Sequence, residues 1–87
     1  MVKLYKFFAT WCGPCRVLST RLEGFKACDV EELDIDDEKS YKLAAKFGIR
    51  SVPTMVLIND EGKELKRWVG LQDAKEVEKE VNELKNA

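Results

Sequence analysis

The stretch Phe7-Phe8-Ala9-Thr10-Trp11-Cys12-Gly13-Pro14-Cys15 decides the fold. Its left half completes Val2 to Ala9, a run rich in aromatic and branched residues that reads as a strand. Gly13 and Pro14 interrupt that pattern. Proline suits the first turn of a helix, where its missing N–H costs nothing. Leu18, Leu22 and Phe25 then recur at helical spacing, so a helix is predicted from about Pro14 to Phe25. A strand that turns directly into a helix, with a cysteine on each side of the turn, is the organising feature.

Further along, Val30 to Asp36 reads as a second strand with Leu33 and Ile35 on one face. Asp36-Asp37-Glu38 puts negative charge at a helix start, which suits the helix dipole. Leu43, Ala44 and Phe47 form that helix's apolar stripe, and Gly48 ends it. Ser51-Val52-Pro53 is a turn. Thr54 to Ile58 is almost continuously apolar, so it is predicted to be a strand covered on both faces. Asn59-Asp60-Glu61-Gly62 makes a hairpin turn, Leu65 to Val69 pairs back, and Gly70 breaks that strand. Gln72 to Lys85 is a helix with Val77, Val81 and Leu84 inward. The order is β-α-β-α-β-β-α. Strands joined through a helix run parallel with a right-handed crossover. The expectation is one α/β domain over residues 1–87, with a four-stranded mixed sheet and helices on both faces.

Composition narrows the function. Fifteen basic against sixteen acidic residues leave a net charge of −1, which argues against nucleic-acid and membrane-surface partners. A hydrophobic fraction of 45% is that of a globular protein. No apolar run approaches the roughly 20 residues that span a bilayer. Lys6 breaks the short apolar start and no cleavage pattern follows, so no signal peptide is read and a cytoplasmic location is expected. Histidine is absent, which removes histidine triads, histidine-ligated metals and histidine proton shuttles.

The cysteines are Cys12, Cys15 and Cys28. An odd count does not look like a disulfide framework. Zinc wants four ligands, and only Cys28 and carboxylates could complete the set, so no metal is expected. Cys28 reads as a small apolar filler, with a regulatory or glutathionylated thiol as the minority reading. A lone Cys-x-x-Cys at a strand–helix junction reads instead as a redox dithiol. The thiolate is the reactive form. A helix N-terminus aims free N–H groups and a positive dipole at Cys12, and in such motifs the pKa reaches roughly 3.5–7.5. Cys12 would attack a disulfide and form a mixed disulfide, which Cys15, one turn further in, would resolve.

Trp11-Cys12-Gly13-Pro14-Cys15, Ile49-Arg50-Ser51-Val52-Pro53-Thr54, Trp68-Val69-Gly70 and the order of elements together resemble the thioredoxin family over nearly the whole chain. Typical members carry an extra strand and helix in front, so the chain is similar to minimal thioredoxins. The resemblance implies a thiol–disulfide oxidoreductase that reduces protein disulfides, since the Gly13-Pro14 spacer goes with a reducing role. It implies no bound cofactor, and electrons from a thioredoxin reductase or, alternatively, from glutathione. A monomer is the default. It further implies that the Val52–Pro53 bond is cis and packs against the dithiol, and that the Val52 backbone pairs with substrate. Trp11, Val52, Val69, Gly70 and Leu71 would then form an apolar patch around Cys12. A core position for Val69 and Leu71 is the competing reading, and Trp68 is expected to be packing. Two other functions stay open. One is a glutaredoxin-like or oxidising exchange protein. The other is a non-catalytic binding subunit that uses the same patch.

One departure matters. Thioredoxins generally carry a buried aspartate six residues before the first motif cysteine, approached by a lysine from the next strand. Here Lys6 stands at the first position, and alignment puts Glu32 at the second. Val2, Leu4, Lys6 and Phe8 share one face, so Lys6 should point inward, and a buried lysine needs a partner. A swapped ion pair, Lys6–Glu32, is expected beneath the dithiol. Either member could take the proton of Cys15, or a charged Lys6 could stabilise thiolate and make the dithiol less reducing. The short front would also leave the second strand at a sheet edge, a possible dimer contact.

Overall fold

The run before the cysteines folds as β1, Lys3–Phe8, and the run after them as α1, Gly13–Arg21, in a computed structural model that describes residues 1–86. The helix is shorter than the apolar spacing predicts. Leu22 caps it, and Gly24 takes φ +81°, a left-handed conformation that glycine adopts without penalty. Leu22 and Phe25 still pack on the core, but from a turn. The helical spacing is real; the helix stops because Gly24 redirects the chain.

The other elements are β2 (Asp29–Asp34), α2 (Glu38–Lys46), β3 (Thr54–Ile58), β4 (Glu64–Val69) and α3 (Ala74–Lys85). The strand order is β2-β1-β3-β4. β1 runs parallel to β2 and antiparallel to β3, and β3 and β4 are antiparallel. The expected four-stranded mixed sheet is therefore the observed one, with β2 at an edge. α3 begins two residues later than its apolar pattern suggests, because the Asp73 carboxylate accepts from the Lys75 N–H and acts as N-cap.

The pleat divides β1 between two cores. Leu4 faces Leu18 of α1 and Val77 and Val81 of α3, together with Met55, Leu57 and Trp68. Phe7 faces Ala44 of α2 with Val56, Ile58 and Leu33. Every residue of β3 is buried, as expected of a strand covered on both faces. Each fully buried aliphatic side chain contributes about 1.5–3 kcal/mol relative to exposure, so these two layers hold the helices in place. No helix among the described residues is long and apolar enough to cross a membrane.

Candidate active site

β1 ends at Phe8, and the chain turns through Ala9, Thr10 and Trp11 before α1. The Cys12 N–H donates to the Ala9 carbonyl at 3.1 Å, which closes this turn. Cys12 is the N-cap of α1, and its Sγ accepts from the Cys15 N–H at 3.2 Å. The sulfur thus occupies the place that a serine or aspartate oxygen takes at other helix starts. It lies where free amide groups and the helix dipole favour negative charge. Cys12 and Cys15 are joined as a disulfide with their Cα atoms 5.3 Å apart, and both are buried.

A second segment closes over the sulfur. The Val52 carbonyl oxygen is 3.7 Å from Cys12 Sγ, and the Val52–Pro53 peptide bond is cis. The Gly70 N–H donates to the Pro53 carbonyl at 2.8 Å, and the Thr54 hydroxyl donates to the Ser51 carbonyl at 2.8 Å. Gly70 has φ +83°, which ends β4 and turns its amide to the proline loop. Trp11 is 67% exposed, and its indole N–H donates to Asp36 Oδ2 at 3.0 Å. Trp11, Val52, Ile35, Ile49 and Tyr41 line a groove of about 590 Å³ beside the disulfide. Val69 and Leu71 are exposed, which decides against the core reading for both. Trp68 is buried, packs in the core, and donates its indole N–H to Glu80.

Lys6 and Glu32 lie directly opposite each other on β1 and β2. Lys6 is 2% exposed, and its Nζ is 2.8 Å from Glu32 Oε1. The pair is buried at one end only, because the Glu32 side chain is 58% exposed. The reason is the edge: as the short front suggested, no further strand among the described residues covers β2, and Val30 and Glu32 meet solvent. Lys6 Nζ also donates to the Ser19 hydroxyl of α1. Ser19 escaped the sequence reading. The available signal was its spacing, one helical turn after Cys15 and on the same face. Cys15, Arg16, Ser19 and Glu32 line one cleft of about 410 Å³, distinct from the groove beside Trp11. Cys28 is half-buried in the lower core, and burial pushes its thiol up.

A disulfide seated on a helix N-terminus, with a cis-proline loop against its outer sulfur, marks a protein-disulfide oxidoreductase. Comparison with known proteins gives the family. The family model described as Thioredoxin matches residues 2–83. A thioredoxin of Chlamydia muridarum is 46% identical over 74 residues, covering 80% of this chain and 70% of the relative. A thioredoxin of Staphylococcus haemolyticus is 40% identical over 76 residues, with 82% and 70% covered. The solved structure of a mutant thioredoxin from Halobacterium salinarum superposes with a TM-score of 0.82 at 35% identity, over 94% of this chain and 73% of that one. The chain belongs to the thioredoxin family.

Proposed function

We propose that this chain reduces protein disulfides by dithiol exchange. Cys12 is the attacking thiolate. It displaces one sulfur of a substrate disulfide and becomes joined to the other. Cys15 then attacks Cys12, the Cys12–Cys15 disulfide forms, and the second substrate thiol leaves. Two electrons pass from the dithiol to the substrate. The observation that carries this reading is the Cys15 N–H aimed at Cys12 Sγ at the start of α1. Gly13 and Pro14 keep the first turn free of side-chain bulk and of a redundant donor.

Val52 supports the reading as the backbone partner of an extended substrate segment, since its carbonyl already faces Cys12 Sγ. Pro53 holds that carbonyl in place. Trp11, Val69, Gly70 and Leu71 supply the apolar rim, three of them as exposed large hydrophobic residues. The chain works as a single-domain monomer in a reducing cytoplasm. It needs no bound cofactor, and a thioredoxin reductase returns it to the dithiol. The free thiol of Cys28 fits such a compartment.

The buried ammonium of Lys6 favours one second reading, a less reducing, glutaredoxin-like or oxidising exchange protein. The two are separated by the reduction potential of the Cys12–Cys15 pair, measured by equilibration in glutathione and dithiothreitol buffers. A value near about −270 mV is expected of the reductant, whereas about −200 mV or higher overturns that reading in favour of the second.

A further inference from the structure

Lys6 is the only charged residue among the described ones that is fully buried, and it sits between two groups that both border the space beside Cys15. Its Nζ donates to Glu32 Oε1 at 2.8 Å and to the Ser19 hydroxyl. Burying an ammonium is costly unless its hydrogen bonds are made, so the lysine has little freedom once the sheet is formed. It therefore fixes the carboxylate and the hydroxyl relative to the resolving cysteine. Cys15 is 2% exposed and lies against the wall of this cleft.

From this geometry we infer that Glu32 is the proton acceptor for Cys15 during resolution of the mixed disulfide. It works through water in the cleft, with Lys6 and Ser19 as the positioning residues that hold it there. The inference rests on the dithiol-exchange reading above. The Cys15 thiol gives its proton to the Glu32 carboxylate. The Cys15 thiolate then attacks Cys12 Sγ; the Cys12–Cys15 bond forms and the bond from Cys12 to the substrate sulfur breaks. The electron pair leaves with the substrate thiolate, which is protonated from solvent. Because the outer half of Glu32 is hydrated, it returns its proton directly to water and is reset for the next turnover. No second buried base is needed. Lys6 stays charged and hydrogen-bonded throughout and transfers nothing.

One cation, Lys6 of β1, pairs with Glu32, and a second, Arg16 of α1, lines the same cleft. The Arg16 guanidinium is held by the Thr10 carbonyl at 2.8 Å, so it is directed to the turn rather than to the carboxylate. The neighbouring acid Glu31 is engaged by Lys3. Glu32 is thus the carboxylate of β2 that shares a cleft with the resolving sulfur.

The test separates the two exchange steps in one experiment. The reduced protein is mixed with dithiobis-nitrobenzoate, and nitrothiobenzoate release is followed by stopped flow. The first phase reports attack by Cys12 and the second reports resolution by Cys15. In Glu32→Gln the second phase should slow by about tenfold or more, within the range for loss of a general base, while the first phase is unchanged. Its rate should then climb about tenfold per pH unit with hydroxide below the titration of Cys15, where the wild type is flatter. Glu32→Asp should recover part of the second phase. Ser19→Ala should slow it by a smaller factor with the same first phase. A second phase in Glu32→Gln within twofold of wild type, with the wild-type pH profile, overturns the inference. A proportional loss in both phases also overturns it, since that is the mark of a structural defect. A wild type that releases no second equivalent instead overturns the dithiol-exchange reading itself.

Discussion

Two ion pairs join β1 to β2. Lys3–Glu31 closes at 2.9 Å and Lys6–Glu32 at 2.8 Å, so their distances are almost the same. Their surroundings are not. Lys3 and Glu31 are 45% and 47% exposed, whereas Lys6 is 2% exposed against 58% for its partner. In the first pair both charges keep their water, and the contact is screened and interchangeable with hydration. In the second, one charge has given up its water and depends on what replaced it. Separation in ångströms says little about worth; the desolvated partner decides it.

That contrast is asymmetric within the buried pair, and the asymmetry can be broken by mutation. Glu32→Ala leaves the Lys6 ammonium with only the Ser19 hydroxyl. The expected cost is about 2 kcal/mol in denaturant unfolding, below the roughly 3–5 kcal/mol for breaking a fully buried pair, because water can enter from the β2 edge. Lys6→Met removes the buried charge and keeps the volume, while Glu32 simply hydrates. It should cost less than about 1 kcal/mol. A ranking in which Lys6→Met is the worse variant would break the comparison.

A smaller effect is expected at Glu80. Its carboxyl is held below the ordinary carboxylate value of 4.5, first by the Trp68 indole and then by Lys66. A lowered folded value gives stability that is present above the unfolded value and lost as pH falls through the folded one. Stability should therefore decline below about pH 4.5, and Glu80→Gln should flatten that decline by no more than about 0.5 kcal/mol, the scale of a mostly solvated contact. Thermal unfolding at graded pH reads it. The smallest effect belongs to Glu31→Gln, which should leave the unfolding midpoint unchanged at both low and high salt.

The sheet was legible in the sequence because its signals are dense. Thr54 to Ile58 read as a covered strand from its nearly continuous apolar run, and Gly48, Gly62 and Gly70 all stand at breaks with positive φ. The inward lysine was legible too, through the two-residue period of β1. The end of α1 was not, because Leu22 and Phe25 keep helical spacing beyond the point where Gly24 turns the chain. The edge position of β2 was legible from the short front and is observed. The solvent access of Glu32 was not, because alternation assigns a face without saying how far that face is covered. Ser19 was lost for a related reason: a serine on a short helix reads as surface until a buried ammonium is found beneath it.

The free edge of β2 has a consequence for how copies of this molecule meet. Its six residues include Asp29, Glu31, Glu32 and Asp34, and among the described residues Lys3 and Lys6 answer two of them by ion pairs. A second copy adding antiparallel in register would set Asp29 against Asp34 and Glu31 against Glu32, which opposes strand addition. The molecule guards its own open seam by repulsion. A strand that carries its charge along its own open edge is a poor template for a second one.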